Sequence, residues 1–203
     1  MNNKNATIHI VDDDPSMLEY LSSLVTSVDY KSKIYNNANH FLDTYADDGI
    51  GCLVLDVRMP GISGLELQQQ LAGNNIDLPV IMISGFGDVS TAVKAMKAGV
   101  LDFLEKPFEG NDLLELIHKA TEKHQTDRKK NNSQNKTLER VNSLTKREKE
   151  VMELVVSGMI NKDIAKKLVI SIKTVEVHRA NLMEKMAVTS VTDLVRMSIE
   201  IKG

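Results

Sequence analysis

The sequence predicts two domains of different class: an α/β domain on a five-stranded parallel sheet with helices on both faces, (βα)5, and after it an all-α domain of four helices. Three observations predict this. Short β-branched apolar runs alternate with helical patterns through the first half; apolar periodicity collapses across residues 121–141; and beyond that point the pattern is purely helical. At about 100 to 200 residues per domain, a chain of 203 residues accommodates two modest ones. With 42% apolar residues and no tryptophan it can bury a core, and it lacks the composition of a disordered or fibrous protein.

Strands are predicted at 7–11, 31–35, 52–56, 79–84 and 101–105. Between them, Leu18, Leu21 and Val25 form one helical stripe, with Asp14 as its cap and Pro15 at a first helical position. Val89, Ala92, Val93 and Met96 form another, in a helix over 88–98 that stops at Gly99. A helix starting near Asn111 can run into Lys129-Lys130-Asn131-Asn132-Ser133-Gln134-Asn135, a polar tract that cannot offset its own ordering entropy and reads as a linker. Leu138 and Val141 are a weak resumption, too little for a coiled coil. The expected limits are a first domain at 1–122, a linker at 123–142 and a second domain at 143–203.

In the second domain Thr145 and Glu148 make a capping box, and the run Val151, Leu154, Val155 ends at Gly158. Asn161 is the expected cap for a helix over 162–168, Ser171 for one from 172 to about 186, and Ser190 with Asp193 for the last. The second and third of these helices are joined by only a few residues, as a helix-turn-helix requires.

Charge follows the same division. Residues 1–120 carry 8 basic and 17 acidic side chains, net −9; residues 121–139 are +2; residues 140–203, with 12 basic and 8 acidic, are +4. The basic part is suited to a polyanion such as DNA. Cys52, the single cysteine, lies in an apolar run and reads as core filling in a reducing compartment. No stretch approaches about 18 uninterrupted apolar residues and residues 1–6 are polar, so no membrane span or signal peptide is expected and the protein is read as cytoplasmic. None of the histidines has cysteine or carboxylate partners at zinc spacing.

In an open parallel sheet the ligand site lies beyond the carboxyl ends of the strands, and chemistry collects there. Asp12 and Asp13 follow the first strand, Asp56 ends the third, Ser84 the fourth, and Lys106 follows the fifth. Carboxylates sharing one pocket repel unless a cation neutralises them, and all-oxygen donors suit Mg²⁺ (or Mn²⁺). A central carboxylate with metal and lysine beside it can attack phosphorus, which makes Asp56 the expected nucleophile. Asp14, as a helix cap, stays outside the metal shell.

The segments Ile10-Val11-Asp12-Asp13-Asp14, Leu55-Asp56-Val57-Arg58-Met59-Pro60-Gly61 with Gly64, Ile83-Ser84-Gly85 and Asp102-Phe103-Leu104-Glu105-Lys106-Pro107-Phe108 resemble response-regulator receiver domains. The resemblance implies a flavodoxin-like (CheY-like) fold. It implies phosphorylation of Asp56 by a histidine kinase, with Mg²⁺ held by Asp12, Asp13, Asp56 and the Arg58 carbonyl. Lys106 would grip the phosphate, Ser84 would bond a phosphoryl oxygen, Phe103 would turn inward as the switch aromatic, and the Lys106-Pro107 peptide would be cis.

The stretch from Leu144-Thr145-Lys146-Arg147-Glu148 through Asn161-Lys162-Asp163-Ile164-Ala165 to Thr174-Val175-Glu176-Val177-His178-Arg179 resembles the LuxR-type helix-turn-helix. Together the halves resemble the FixJ branch of the NarL/FixJ response regulators, which implies a transcription regulator, an activator in most members. At about 100° per residue, Val175, Leu182 and Met186 share one face of the third helix and Lys173, Val177, Ala180 and Asn181 the opposite one. Lys162, Lys166, Lys173 and Lys185 are the expected phosphate contacts, and Thr174, Glu176, Val177, Ala180 and Asn181 the expected groove residues. Arg179 and His178 fall nearer the packed face.

The expected partners are a sensor histidine kinase, promoter DNA, RNA polymerase and, after phosphorylation, a second copy of the chain, with no membrane. No catalysis is expected beyond Mg²⁺-dependent self-phosphorylation from phosphohistidine and slow loss of the phosphate. An aspartyl-phosphate hydrolase needs a second carboxylate two residues after its nucleophile, where this chain has Arg58. A DNA-binding protein whose first domain only dimerises or senses a ligand is the second alternative, separated by phosphate uptake.

Overall fold

The computed structural model describes residues 5–85 and 89–202. Among them, strands β1 (Thr7–Val11), β2 (Lys31–Tyr35), β3 (Gly51–Asp56), β4 (Val80–Ser84) and β5 (Asp102–Glu105) form one parallel sheet in the order β2-β1-β3-β4-β5. The order reverses between β1 and β3, which pair in register from Thr7 against Gly51 to Val11 against Leu55.

Alternation sends successive residues of the buried central strands to opposite faces of the sheet. Ile8 and Ile10 of β1 with Cys52 and Val54 of β3 face one layer, where Leu18, Leu21 and Val25 of α1 (Pro15–Thr26) and Leu113 and Ile117 of α5 (Gly110–Asn142) cover them. Val11, Leu53 and Leu55 face the other, under Phe41 of α2 (Ala38–Thr44), Leu67 of α3 (Gly64–Leu71) and Ala95 of α4 (Val89–Lys97). Asp14 caps α1, accepting from the Ser16 amide at 2.8 Å, and Pro15 opens the helix.

Two expectations need correction, and the helix expected from Asn111 does run through the polar tract. In α4, Val93 and Met96 are exposed and the small Ala95 faces the sheet. The larger apolar residues suggested one stripe, but an overlapping stripe one residue away does the packing; Asp88 lies outside the described residues. The polar tract 129–135 is helical, because α5 continues to Asn142. It contains no proline or glycine, and Thr137 and Val141 bury or pack beyond it. The cap of the helix after Gly158 is Ile160, not Asn161.

The chain divides into two compact units after Asp127, inside α5. In the second unit α6 (Lys146–Val156), α7 (Asn161–Leu168), α8 (Ile172–Met186) and α9 (Val191–Lys202) surround a core of Val151, Val155, Ile164, Val175, Leu182, Met186 and Leu194. The Thr145/Glu148 capping box starts α6, Ser171 caps α8 by accepting from the Thr174 amide at 3.0 Å, and Ser190 accepts from the Asp193 amide at 3.1 Å. No helix among the described residues is long and apolar enough to cross a membrane.

Candidate functional site

The strand ends bring Asp12, Asp56, Ser84 and Lys106 to one edge of the sheet. α3 can start directly behind Asp56 because Gly64 has no side chain: a Cβ there would collide with the Asp56 carbonyl. Asp12, Asp56 and Ser84 are buried. Lys106 Nζ donates to Asp12 Oδ2 at 2.9 Å and to Asp56 Oδ1 at 2.7 Å, and the Arg58 amide donates to Asp56 Oδ2 at 2.6 Å. The Asp14 amide donates to Asp12 Oδ1 at 2.9 Å, so both carboxylates are held on two sides. The Lys106-Pro107 peptide is cis, and Phe103 packs half-buried against the core layer under α3 and α4.

Electrostatics follow from burial. Desolvation pushes the Asp56 carboxyl above its ordinary range, Asp12 adds repulsion, and the Lys106 and Arg58 hydrogen bonds pull against both. For Lys106 burial acts to lower the ammonium's pKa, but Asp56 and Asp12 outweigh it and hold the group above its usual value. One lysine thus serves two buried carboxylates.

Asp13 is not brought into that cluster. It is exposed, on the wall of a cleft of about 760 Å³ shared with Asn36, His40, Asp43, Pro60 and Gly61. Among the described residues no group of three or more His, Cys, Asp and Glu side chains stands close enough to share a cation. In this structure Lys106 draws two carboxylates together, and Asp13, one residue on from Asp12, is exposed. The donor chemistry still fits a hard divalent cation, since the pocket offers carboxylate oxygens, and burial followed by repulsion from Asp12 raises the Asp56 carboxyl, which a further positive charge would offset.

In the second unit Lys173, Thr174, Glu176, Val177, Ala180 and Asn181 are all exposed, while Val175, Leu182 and Met186 of the same helix are buried. Lys162 and Lys166 lie on α7. Lys185 is engaged otherwise: its Nζ donates to Glu148 Oε2 at 2.7 Å, and that carboxylate also accepts from the Thr145 amide at 2.7 Å. These bonds, Lys185 first, hold the Glu148 carboxyl below its usual range. Lys185 is thus paired with Glu148 in this structure. Arg179 donates to Asn161 Oδ1 at 2.8 Å and joins α8 to α7. Arg140, unremarked in the sequence, donates to the Met186 carbonyl at 3.2 Å, at the end of α8.

Comparison with known proteins decides the family. The model of the response regulator receiver domain matches residues 8–118, and that of bacterial regulatory proteins of the luxR family matches residues 142–198. The chain belongs to the response-regulator family. It is a two-component response regulator with a receiver domain and a LuxR-type DNA-binding domain, hence a transcription regulator whose architecture implies a kinase partner and DNA binding. Response regulator protein TmoT of Ectopseudomonas mendocina is 47% identical over 203 residues, 100% of this chain and 92% of that one. Transcriptional regulatory protein FixJ of Rhizobium meliloti is 43% identical over 193 residues, 95% of each. Among solved structures, response regulator StyR matches with a TM-score of 0.89 at 39% identity, covering 97% of this chain and 99% of that one. Such relatives are transcriptional regulators rather than catalytic enzymes, and receiver domains generally bind Mg²⁺ in the phosphorylation pocket.

Proposed function

We propose that Asp56 accepts a phosphoryl group from a sensor histidine kinase, and that the phosphorylated protein dimerises, binds promoter DNA and activates transcription with RNA polymerase in the cytoplasm. The phosphoacceptor domain spans 1–122, the DNA-binding domain 143–203, and 123–142 joins them. The observation that carries the reading is Lys106 Nζ between Asp12 and Asp56, at 2.9 and 2.7 Å, in a buried pocket at the strand ends.

An Asp56 carboxylate oxygen attacks phosphorus, the P–N bond to the kinase histidine breaks, and its electron pair stays on the imidazole nitrogen. Lys106, already between the two carboxylates, turns to the new phosphoryl oxygens. Asp12, Asp13, Asp56 and the Arg58 carbonyl would hold Mg²⁺ or Mn²⁺, which would supply the remaining positive charge. Ser84 bonds a phosphoryl oxygen and Phe103 turns inward, biasing an existing equilibrium of α4 and β5. Lys162, Lys166 and Lys173 then meet phosphates, while Thr174, Glu176, Val177, Ala180 and Asn181 face the groove. Two half-sites make weak dimerisation strong on one duplex.

The test is beryllofluoride with Mg²⁺, followed by sizing and DNA binding, on wild type and Asp56→Asn together. A change of oligomeric state and a gain of affinity in wild type alone supports the switch. An equal response in both, or none in either, makes the receiver a scaffold.

A further inference from the structure

α4 is lightly held on the sheet. Among its described residues only Ala95 is buried, while Val93, Lys94, Met96 and Lys97 are exposed. Ala95 and Val100 share a core cluster with Leu67 and Leu71 of α3. A single buried methyl contributes little, so few contacts need to change for the helix to shift. At its C-terminal end the Gly99 amide donates to the Met96 carbonyl at 3.1 Å, with Gly99 at φ +86, and the Val100 amide donates to the Ala95 carbonyl at 3.3 Å.

The Ala98 carbonyl, just past the last turn of α4, is served from another helix. Gln68 Nε2 of α3 donates to it across 30 residues of sequence. A carbonyl can only accept, so the amide nitrogen faces Ala98 and the amide oxygen faces the other way. There Gln68 Oε1 is buried without a hydrogen-bond partner. An unpaired buried acceptor costs about as much as the single bond to Ala98 contributes, so this contact between α3 and α4 is finely balanced. α3 is also the helix seated on the phosphoacceptor. Gly64 packs against the Asp56 carbonyl with no room for a Cβ, and its amide donates to the Val57 carbonyl at 3.0 Å. Gln68 stands one turn on, on the same side of α3 as Gly64.

We propose that Gln68 is a positioning residue of the switch: it holds the end of α4 in the arrangement that goes with a free Asp56 carboxylate, and it releases Ala98 on phosphorylation. The inference rests on the reading above, in which phosphorylation biases α4, and adds a route to that helix separate from Ser84 and Phe103. The phosphoryl group attaches where the Lys106 and Arg58 bonds now hold the Asp56 carboxylate, on the stretch of backbone that seats α3. A shift there moves Gln68 against Ala98, and a contact with one bond made and one acceptor unpaired is easily given up. A residue biases such an equilibrium only through bonds it makes in one state and not in the other.

The experiment compares full-length wild type with Gln68→Met, which keeps the side chain's length and helix propensity but cannot donate. Sedimentation equilibrium gives the dimer Kd of each, with and without beryllofluoride and Mg²⁺. Losing one net hydrogen bond should raise the switched fraction of each protomer about fivefold. Both protomers of a dimer must switch, so without beryllofluoride the variant's dimer Kd should be about 25-fold lower than that of wild type. With beryllofluoride both proteins are already switched, and the two values should agree within about twofold. An unchanged or higher Kd without beryllofluoride overturns the inference, as does an equal shift in both conditions, which is what a merely structural contact would give. If Gln68→Met melts early, Gln68→Ala is read by the same criteria; if that also melts early, Gln68 is a packing residue and the inference is overturned. If wild type itself does not tighten on beryllofluoride, the reading of α4 fails and the inference falls with it.

Discussion

Asp56 stands between burial, which favours its neutral acid, and Lys106, which favours the carboxylate needed for attack on phosphorus. Removing the lysine leaves burial and Asp12 unopposed except by the Arg58 amide. Lys106→Met should therefore raise the Asp56 pKa further and move the acid limb of phosphorylation to higher pH. A ¹³C NMR titration of the Asp56 carboxyl checks this, and an unchanged or lower value would mean that Lys106 does not set its charge state. His9 offers a second case. Its ring bonds the Tyr35 hydroxyl at 3.0 Å, and burial first, then Lys33, lowers its pKa to about 4. The unfolded chain takes up that proton nearer 6.5, so between the two values it binds more protons than the folded one. This contribution to stability is complete above 6.5 and is lost as pH falls toward 4. In His9→Phe the urea midpoint should fall less between about pH 7.5 and 4.5 than in wild type; an equal fall would assign the acid sensitivity to other groups.

At the scale of elements, the second unit is more than its four helices. Thr137 of α5 is buried, Val141 packs on the core, and Arg140 binds the last carbonyl turn of α8, the proposed recognition helix. A cation at that end also complements the helix dipole. A fragment of residues 128–203 should thus be more stable than one of 143–203, by at least about 1 to 2 kcal/mol from the apolar burial and the Arg140 bond to the helix end. Denaturant unfolding of the two fragments measures it, and equal midpoints would show that the α5 turns contribute nothing. The sequence pattern stopped short at 143 because helix formation in the polar tract is decided by anchors on either side of it, which periodicity within the tract does not reveal. Strands were legible for the opposite reason: burial on both faces makes β3 and β4 nearly continuous apolar runs, and β1 departs from one only at Thr7 and His9. The pocket was legible because its chemistry sits at strand ends, whereas Lys185 with Glu148 and Arg140 with Met186 join residues 37 and 46 positions apart and left no local signal. Asn161 misled because its residue type suits a cap, whereas α7 starts one residue earlier and the Asn161 side chain is engaged by Arg179 of another helix.

For the whole molecule, the division of charge gives a measurable consequence. The first 120 residues are net −9 and the last 64 net +4, so any attraction to DNA comes from a few cations working against an acidic first half. With Lys185 committed to Glu148, the proposed phosphate-binding cations are Lys162, Lys166 and Lys173 in each protomer. Each neutralised phosphate contributes a slope of about −0.9 to log affinity against log salt, so a bound dimer should give a slope between about −5 and −6 and a monomer about half that. The slope therefore reports stoichiometry as well as the number of phosphates met. Lys173→Ala should make the dimer's slope shallower by about 2, because each protomer then neutralises one phosphate fewer. Lys185→Ala should leave the slope unchanged while lowering the melting temperature of the DNA-binding unit, because it strands the buried carboxylate of Glu148. Binding isotherms at several salt concentrations for the three proteins separate these roles. If Lys185→Ala flattens the slope as Lys173→Ala does, the lysine leaves Glu148 for a phosphate on binding, and the cation count per protomer rises to four.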